Sequence, residues 1–222
     1  MCGRFTLMLD AEDLQSEFGL QEVPAEYVPR YNIAPTQPVA VITSESVDRL
    51  EWMRWGLVPS WSKDPAIGSK MINARSETVQ EKPSFRNAFS RRRCLIPADG
   101  FYEWKRSPGK GPAIPHYFYA RDRKPFAFAG LWEIWQSPLG DELLTCTILT
   151  TNANSLVSNV HERMPVILRG TALEQWLGPG NPVAWQALLR AYPAEEMNSH
   201  PVSTAVNSSA IDRPELVFQS GV

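Results

Sequence analysis

Along most of this chain hydrophobic and polar positions alternate with the two-residue period of strands, and a few stretches of helical spacing interrupt them. Leu14 and Phe18, four residues apart, predict a short helix over Asp10–Phe18. A Pro-containing loop follows through Pro24, Pro29 and an Asn32-Ile33-Ala34-Pro35 turn. Val39–Thr43 is apolar and β-branched and Leu50–Trp55 alternates in type, so the two read as hairpin partners. Beyond Trp55 the chain runs into a loop that contains Trp61. Pro83 and Ser84 open a helical stretch that ends at Arg91. Strand-like runs then recur at 93–97, 101–105, 116–120, 125–135 and 143–151, with Arg106–Pro115 as a Pro/Gly-rich connection. Ala153–Val160 reads as a helix, Val166–Leu168 as a short strand, and Leu173–Leu177 and Val183–Leu189 as helices; the tail from His200 to Phe218 reads as extended. With no internal repeat and no low-complexity linker, the pattern predicts one α+β domain over residues 1–222. Its sheet is expected to be mainly antiparallel and barrel-like, with short helical insertions.

Composition narrows the setting. A chain of 222 residues with 43% hydrophobic content and eight tryptophans is large enough to bury a proper core. No stretch approaches the ~18–20 apolar residues of a membrane span. Asp10, Glu12 and Asp13 interrupt the start, where a signal peptide would need an apolar run. Three cysteines without C-x-x-C spacing argue against a disulfide framework or a zinc site, and Cys94 and Cys146 read as buried thiols. A reducing cytoplasm is the expected compartment and a monomer the expected state. The net charge of −2 hides a basic middle: residues 51–130 hold 15 Lys+Arg against 7 Asp+Glu, and the remainder 7 against 17. Arg86 and Arg91-Arg92-Arg93 form its densest cluster. Such a block is weak support for a nucleic-acid partner, since charged runs are usually solvated surface.

Chemistry enters with Cys2. A small second residue favours removal of Met1, which would leave a free α-amine beside a thiol. Their ordinary pKa values, roughly 7.7–8.0 and about 8.5, make each partly deprotonated near neutrality. The amine can attack an aldehyde, and the adjacent thiol can then close a five-membered ring with a large proximity advantage. Downstream, Asn73 in Asn73-Ala74-Arg75-Ser76-Glu77 can orient an amine or a sugar hydroxyl, and Arg75 can bind phosphate. Glu103 lies in the aromatic run Phe101-Tyr102-Glu103-Trp104, where partial desolvation would suit it to proton transfer. His161, in His161-Glu162-Arg163-Met164-Pro165 after the predicted helix, titrates near neutrality. Arg4, Arg75 and Arg163 flank these groups, and Trp61 and Trp104 offer flat faces, a pattern suited to single-stranded nucleic acid. Three dispersed histidines lack the acidic partners of a metal site, so no metal or cofactor is expected. Taken singly, each residue has a plainer explanation as a turn, a cap or a core aromatic.

In order, these segments resemble the SOS-response-associated peptidase (SRAP) family, the abasic-site processing proteins. The resemblance rests on Met1–Phe5, Arg30–Pro35, Trp55–Pro59, Ile72–Thr78, Arg93–Trp104, His161–Pro165 and His200–Ser203, and spans nearly the whole chain. It implies that Cys2, freed of Met1, captures the C1′ aldehyde of a ring-opened abasic site in single-stranded DNA as a thiazolidine. It implies catalytic roles for Cys2, Asn73, Glu103 and His161. Arg4, Arg75 and Arg163 would hold phosphates, Pro35 and Trp104 would pack on bases, and Trp61 is a weaker candidate for the same.

Two other readings fit parts of the pattern. N-terminal-nucleophile amidohydrolases also begin Met-Cys-Gly, but this chain lacks the Asn-Gly pair and the Arg-Gly-Pro-Asp-like segment that their oxyanion and substrate sites need. A non-enzymatic single-stranded DNA binding module would make Cys2 incidental.

Overall fold

A computed structural model describes residues 2–106, 109 and 111–221. Met1 and part of the 106–115 connection, Ser107, Pro108 and Lys110, lie outside the described residues. The strands are β1 (Phe5–Leu7), β2 (Arg30–Ile33), β3 (Pro38–Thr43), β4 (Ser46–Trp55), β5 (Asn73–Arg75), β6 (Arg93–Ala98), β7 (Gly100–Lys105), β8 (Ile114–Ala120), β9 (Phe126–Gln136), β10 (Glu142–Asn152), β11 (Arg163–Pro165), β12 (Ile167–Leu168) and β13 (Met197–Pro201). The α-helices are α1 (Ala11–Phe18), α2 (Arg86–Arg91), α3 (Thr171–Leu177) and α4 (Pro182–Leu188).

Five strands close on themselves in the order β10-β4-β3-β6-β9-β10, and the expected α+β barrel is present. Closure removes free sheet edges. One seam departs from the antiparallel pattern: β4 pairs with β10 in parallel, Arg54 opposite Thr145. A second sheet, β13-β8-β7-β1-β2, is antiparallel and packs its inner face toward the barrel. Phe5 joins the two, its ring 5.2 Å from Trp55 of β4 and 5.5 Å from Phe128 of β9, both edge-on. Because β3, β6 and β9 are covered on both faces, they read as continuous apolar runs instead of alternating ones.

Local chemistry sets the ends. Asp10 caps α1 by accepting from Asp13 N, and Gly19 ends it at φ +64. Asn181 caps α4 ahead of Pro182. Gly100 is required where β7 begins, since a Cβ there would lie 2.2 Å from the Tyr117 ring. That ring carries its hydroxyl to Thr6 Oγ1 at 3.0 Å, and Thr6 in turn donates to the buried carboxyl of Asp99, which also accepts from Met8 N. Burial pushes Asp99 up to about 6, against the opposing hydrogen bonds from Thr6 and Met8.

The helix expected over 153–160 is replaced by turns and one 3-10 turn, Val157–Asn159. Asn154 Oδ1 captures Leu156 N and Val157 N, Ser158 Oγ donates to Ser155 O, and Asn159 Nδ2 donates to Ser155 O and Leu156 O. Side-chain competition for backbone groups outweighs the apolar spacing. The tail holds β13 and two 3-10 turns, Thr204–Asn207 and Pro214–Val217. No helix among the described residues is long and apolar enough to cross a membrane.

Candidate active site

Short strands converge on Cys2. The residue precedes β1 and is fully buried. Asn73 reaches it from β5, which lies parallel to β10 with Asn73 opposite Ile148. Asn73 Nδ2 donates to Cys2 O at 2.8 Å, and its buried Oδ1 has no hydrogen-bond partner among the described residues. The adjoining sheet supplies Glu103: β1 pairs with β7, Phe5 opposite Phe101, and Glu103 follows two residues on along the same face. Glu103 is 3% exposed. Burial raises its pKa above the ordinary carboxylate value, and the electrostatic influence of His161 acts in the opposite sense. Burial, then the negative charge of Glu103, pushes the Cys2 thiol well above its usual range. The site therefore holds this thiol protonated, the reverse of the electropositive setting that makes a thiolate nucleophile.

His161 follows the 3-10 turn, its backbone N–H donating to Val157 O at 2.9 Å. Arg163 N donates to His161 Nδ1 at 3.0 Å, so the neutral ring carries its proton on Nε2. Structure thus brings together the four residues expected to do chemistry, and it does so through β1, β5, β7 and the turn before β11.

The expected DNA-contacting residues separate into groups. Arg75, at the end of β5, is exposed. Arg4 is half-buried; its Nη1 donates to Asn32 Oδ1 and Val206 O, both at 2.6 Å, and its guanidinium lies 5.9 Å from the Trp104 ring centre. Trp104 Nε1 donates to Asn207 Oδ1 at 2.7 Å. Pro35 is half-buried in a turn where Thr36 sits at φ +69, held by Thr36 N donating to Trp55 O at 2.8 Å.

Arg163 departs from its expected place on a phosphate. It is 7% exposed, and its two terminal nitrogens meet Glu77 Oε1 at 2.6 Å and Oε2 at 2.9 Å, Asn152 Oδ1 at 2.9 Å and Thr150 O at 2.7 Å. A fork already filled by a carboxylate and a carbonyl is a structural clip. Trp61 also stands apart. It is 60% exposed, but its loop is tied by Trp135 Nε1 donating to Ser62 O, and Trp135 pairs with Leu143. Leu143 lies five residues along β10 from the partner of Asn73, about 17 Å at the usual strand rise. The basic cluster is thinner than its sequence suggests. Arg92 is paired with Glu133, and Arg93 is buried, 3.4 Å from the Trp185 ring centre and donating to Trp176 O.

Sequence reasoning did not assign Asn32, Glu77, Thr150 or Asn207. Asn32 and Glu77 lie inside segments that drew notice, and an Asn between Tyr31 and Ile33 is a legible inward polar position. Thr150 and Asn207 carry no such signal, because their roles arise from partners far along the chain.

A profile of the family described as SOS response associated peptidase (SRAP) matches residues 1–209. The chain belongs to the SRAP family. Among SRAP relatives, the Abasic site processing protein YoqW of Bacillus subtilis is 47% identical over 222 residues, covering 98% of this chain and 99% of that one. The Abasic site processing protein HMCES of Gallus gallus is 36% identical over 260 residues, covering 98% and 77%. The crystal structure of a protein from Bacteroides thetaiotaomicron superposes with a TM-score of 0.89 at 28% identity, covering 99% of this chain and all of that one. The fold of this chain is thus shared over nearly its whole length with a structure seen by experiment.

Proposed function

We propose that this SRAP protein processes abasic sites by forming a covalent crosslink with single-stranded DNA through Cys2. The observation that carries the reading is the convergence of Asn73 and Glu103 on Cys2, with Asn73 Nδ2 holding the Cys2 carbonyl and His161 acting on Glu103 in turn. Hydrolysis of the Met1–Cys2 bond frees the α-amine. That amine adds to the C1′ aldehyde of the ring-opened sugar and water leaves, giving a Schiff base. The Cys2 sulfur then adds to the C=N carbon, its proton passes to nitrogen, and a thiazolidine results. Glu103, a carboxyl desolvated enough to hold a proton above the usual range, suits the transfers at nitrogen, oxygen and sulfur. Nε2–H of His161 supplies a donor for the sugar oxygen as the ring opens. Trapping the Schiff base as a ring suppresses the β-elimination that would cut the strand.

The chain has neither the Asn-Gly pair nor the Arg-Gly-Pro-Asp-like segment of an amidohydrolase, which favours aldehyde capture, amine first and sulfur second. The relatives named abasic site processing proteins support the substrate. The test is incubation of purified protein with single-stranded DNA carrying a natural abasic site, followed by a denaturing gel. A slow-migrating adduct is expected from the wild-type protein, and none from Cys2→Ala or from a variant that retains a residue before Cys2. Absence of the wild-type adduct overturns the proposal, and ammonia release from glutamine would point to the amidohydrolase.

A further inference from the structure

The segment after β13 crosses the outer end of the second sheet as a strap, and its contacts fall on residues expected to meet DNA. Ser203 Oγ accepts from Ala205 N and opens the 3-10 turn Thr204–Asn207. Val206 is buried against Tyr102 and Tyr117, and its carbonyl accepts from Arg4 Nη1. Asn32, with no exposed surface, bolts the strap down: its Nδ2 donates to Ile211 O at 2.6 Å, Ser208 O at 3.0 Å and Val206 O at 3.4 Å. Its Oδ1 meanwhile accepts from Arg4. Asp212 continues the attachment through Arg30 and Tyr31 N. A backbone fixed at 206, 208 and 211 leaves the exposed Asn207 little freedom, and its Oδ1 meets Trp104 Nε1 at 2.7 Å.

An indole on a strand can swing about its second side-chain torsion, and a stacking platform works only in the orientation that presents its face. A hydrogen bond to Nε1 removes that freedom. We infer that Asn207 is a positioning residue for DNA engagement: by accepting from Trp104 Nε1 on a strap anchored by Asn32, it fixes the indole plane on which a base stacks beside Arg4. This rests on the reading that single-stranded DNA is the ligand. Among the described residues no hydrogen bond joins Asn207 to Cys2 or Asn73, so its effect is on binding and not on the chemical steps.

The experiment measures affinity for a single-stranded oligonucleotide containing a tetrahydrofuran abasic analogue, which has no aldehyde, across a salt series. Asn207→Ala, Trp104→Phe and the double variant are compared with wild type. Asn207→Ala should bind about fivefold more weakly, the order of one net hydrogen bond, with an unchanged slope of log K against log salt, because no phosphate contact is lost. Trp104→Phe keeps an aromatic face but lacks the N–H, so adding Asn207→Ala to it should change affinity no further. With a natural abasic site at saturating DNA, Asn207→Ala should form adduct at the wild-type rate. Wild-type affinity in Asn207→Ala overturns the inference, as does an equal loss in the Trp104→Phe background. If wild-type protein bound the analogue but formed no adduct with the natural site, the crosslinking proposal would fall while the affinity comparison still decided the role of Asn207.

Discussion

Arg163 and Glu77, from β11 and the turn after β5, form a two-pronged pair with N–O distances of 2.6 and 2.9 Å. Arg163 is nearly buried, whereas the Glu77 carboxylate is 43% exposed and is held below the ordinary carboxylate range chiefly by its hydrogen bond to Arg163. The pair ties β5, which carries Asn73, to β11, whose first N–H fixes His161. Arg163→Ala should therefore cost about 1–2 kcal/mol of stability: Thr150 O keeps its hydrogen bond from Ser76 N, and Glu77 and Asn152 are exposed enough for water to replace the guanidinium. Arg163→Lys should recover only part, because an ammonium cannot make the planar fork. Urea unfolding checks the magnitude. In folded Arg163→Met protein, which lacks the charge, the salt slope for single-stranded DNA should match wild type; a slope smaller by about one would return Arg163 to the phosphates.

Glu103→Gln preserves shape while removing proton transfer. Adduct formation should slow by about 10²-fold or more, the usual worth of a positioned acid or base, with affinity for the unreactive analogue unchanged. Because burial raises the Glu103 pKa, its acid form persists to higher pH than for an ordinary carboxyl group. The wild-type rate profile should carry a limb displaced above the ordinary carboxylate range, and Glu103→Gln should lose it. A collapse of affinity in place of rate would assign Glu103 a structural role.

Asp99 predicts a pH dependence of stability with a definite sign. Its pKa rises from 3.8 to about 6 on folding. Between those values the folded state binds more protons than the unfolded one, so stability falls as pH rises from about 4 to about 6. The contribution is about 3 kcal/mol at most, fully present below pH 3.8 and lost above pH 6. Asn at this position can still accept from Met8 N, so Asp99→Asn should flatten that part of the profile. Thermal melts across pH 3.5–7 read the difference between the two proteins.

Thr36 is β-branched yet sits at φ +69, a conformation that costs an L-residue roughly 1–2 kcal/mol. Thr36→Gly should stabilise the fold by up to about 1 kcal/mol after the added flexibility of the unfolded chain is counted. If strain in the Ala34–Gln37 turn sets the position of Pro35, the same variant should weaken single-stranded DNA binding while raising the melting temperature. Lower stability would show that the Thr36 side chain makes up for its backbone.

Long strands and capped helices were legible from local pattern: α1, α3, α4 and β6 through β10 lie within a few residues of where periodicity puts them. Apart from β7, the strands that build the site were not. β1, β2, β5 and β11 have three or four residues each, too few to show a period, and they exist because longer neighbours offer them partners. Residue chemistry did single out Cys2, Asn73, Glu103 and His161, since polar groups among aromatics and prolines stand out without knowledge of pairing. What a sequence does not display is which charges cancel. Arg163 looked like a phosphate ligand because Glu77 lies 86 residues away, and Arg93 looked like surface because the tryptophans that enclose it come from α3 and α4.

Arg4 and Val206 are bonded although they lie 202 positions apart. A ribosome adding about 5–20 residues per second takes about 10–40 s to travel that distance. For all that time the guanidinium beside Cys2 has no carbonyl to hold it, and for the second half of it Trp104 has no Asn207. Cys2 is made at the outset, and the clasp on its neighbour Arg4 is completed among the last contacts. On the proposed chemistry, an unfinished or truncated chain would carry the cysteine without the clasp that holds Arg4 and Trp104 around it, and DNA capture would be a property of completed molecules.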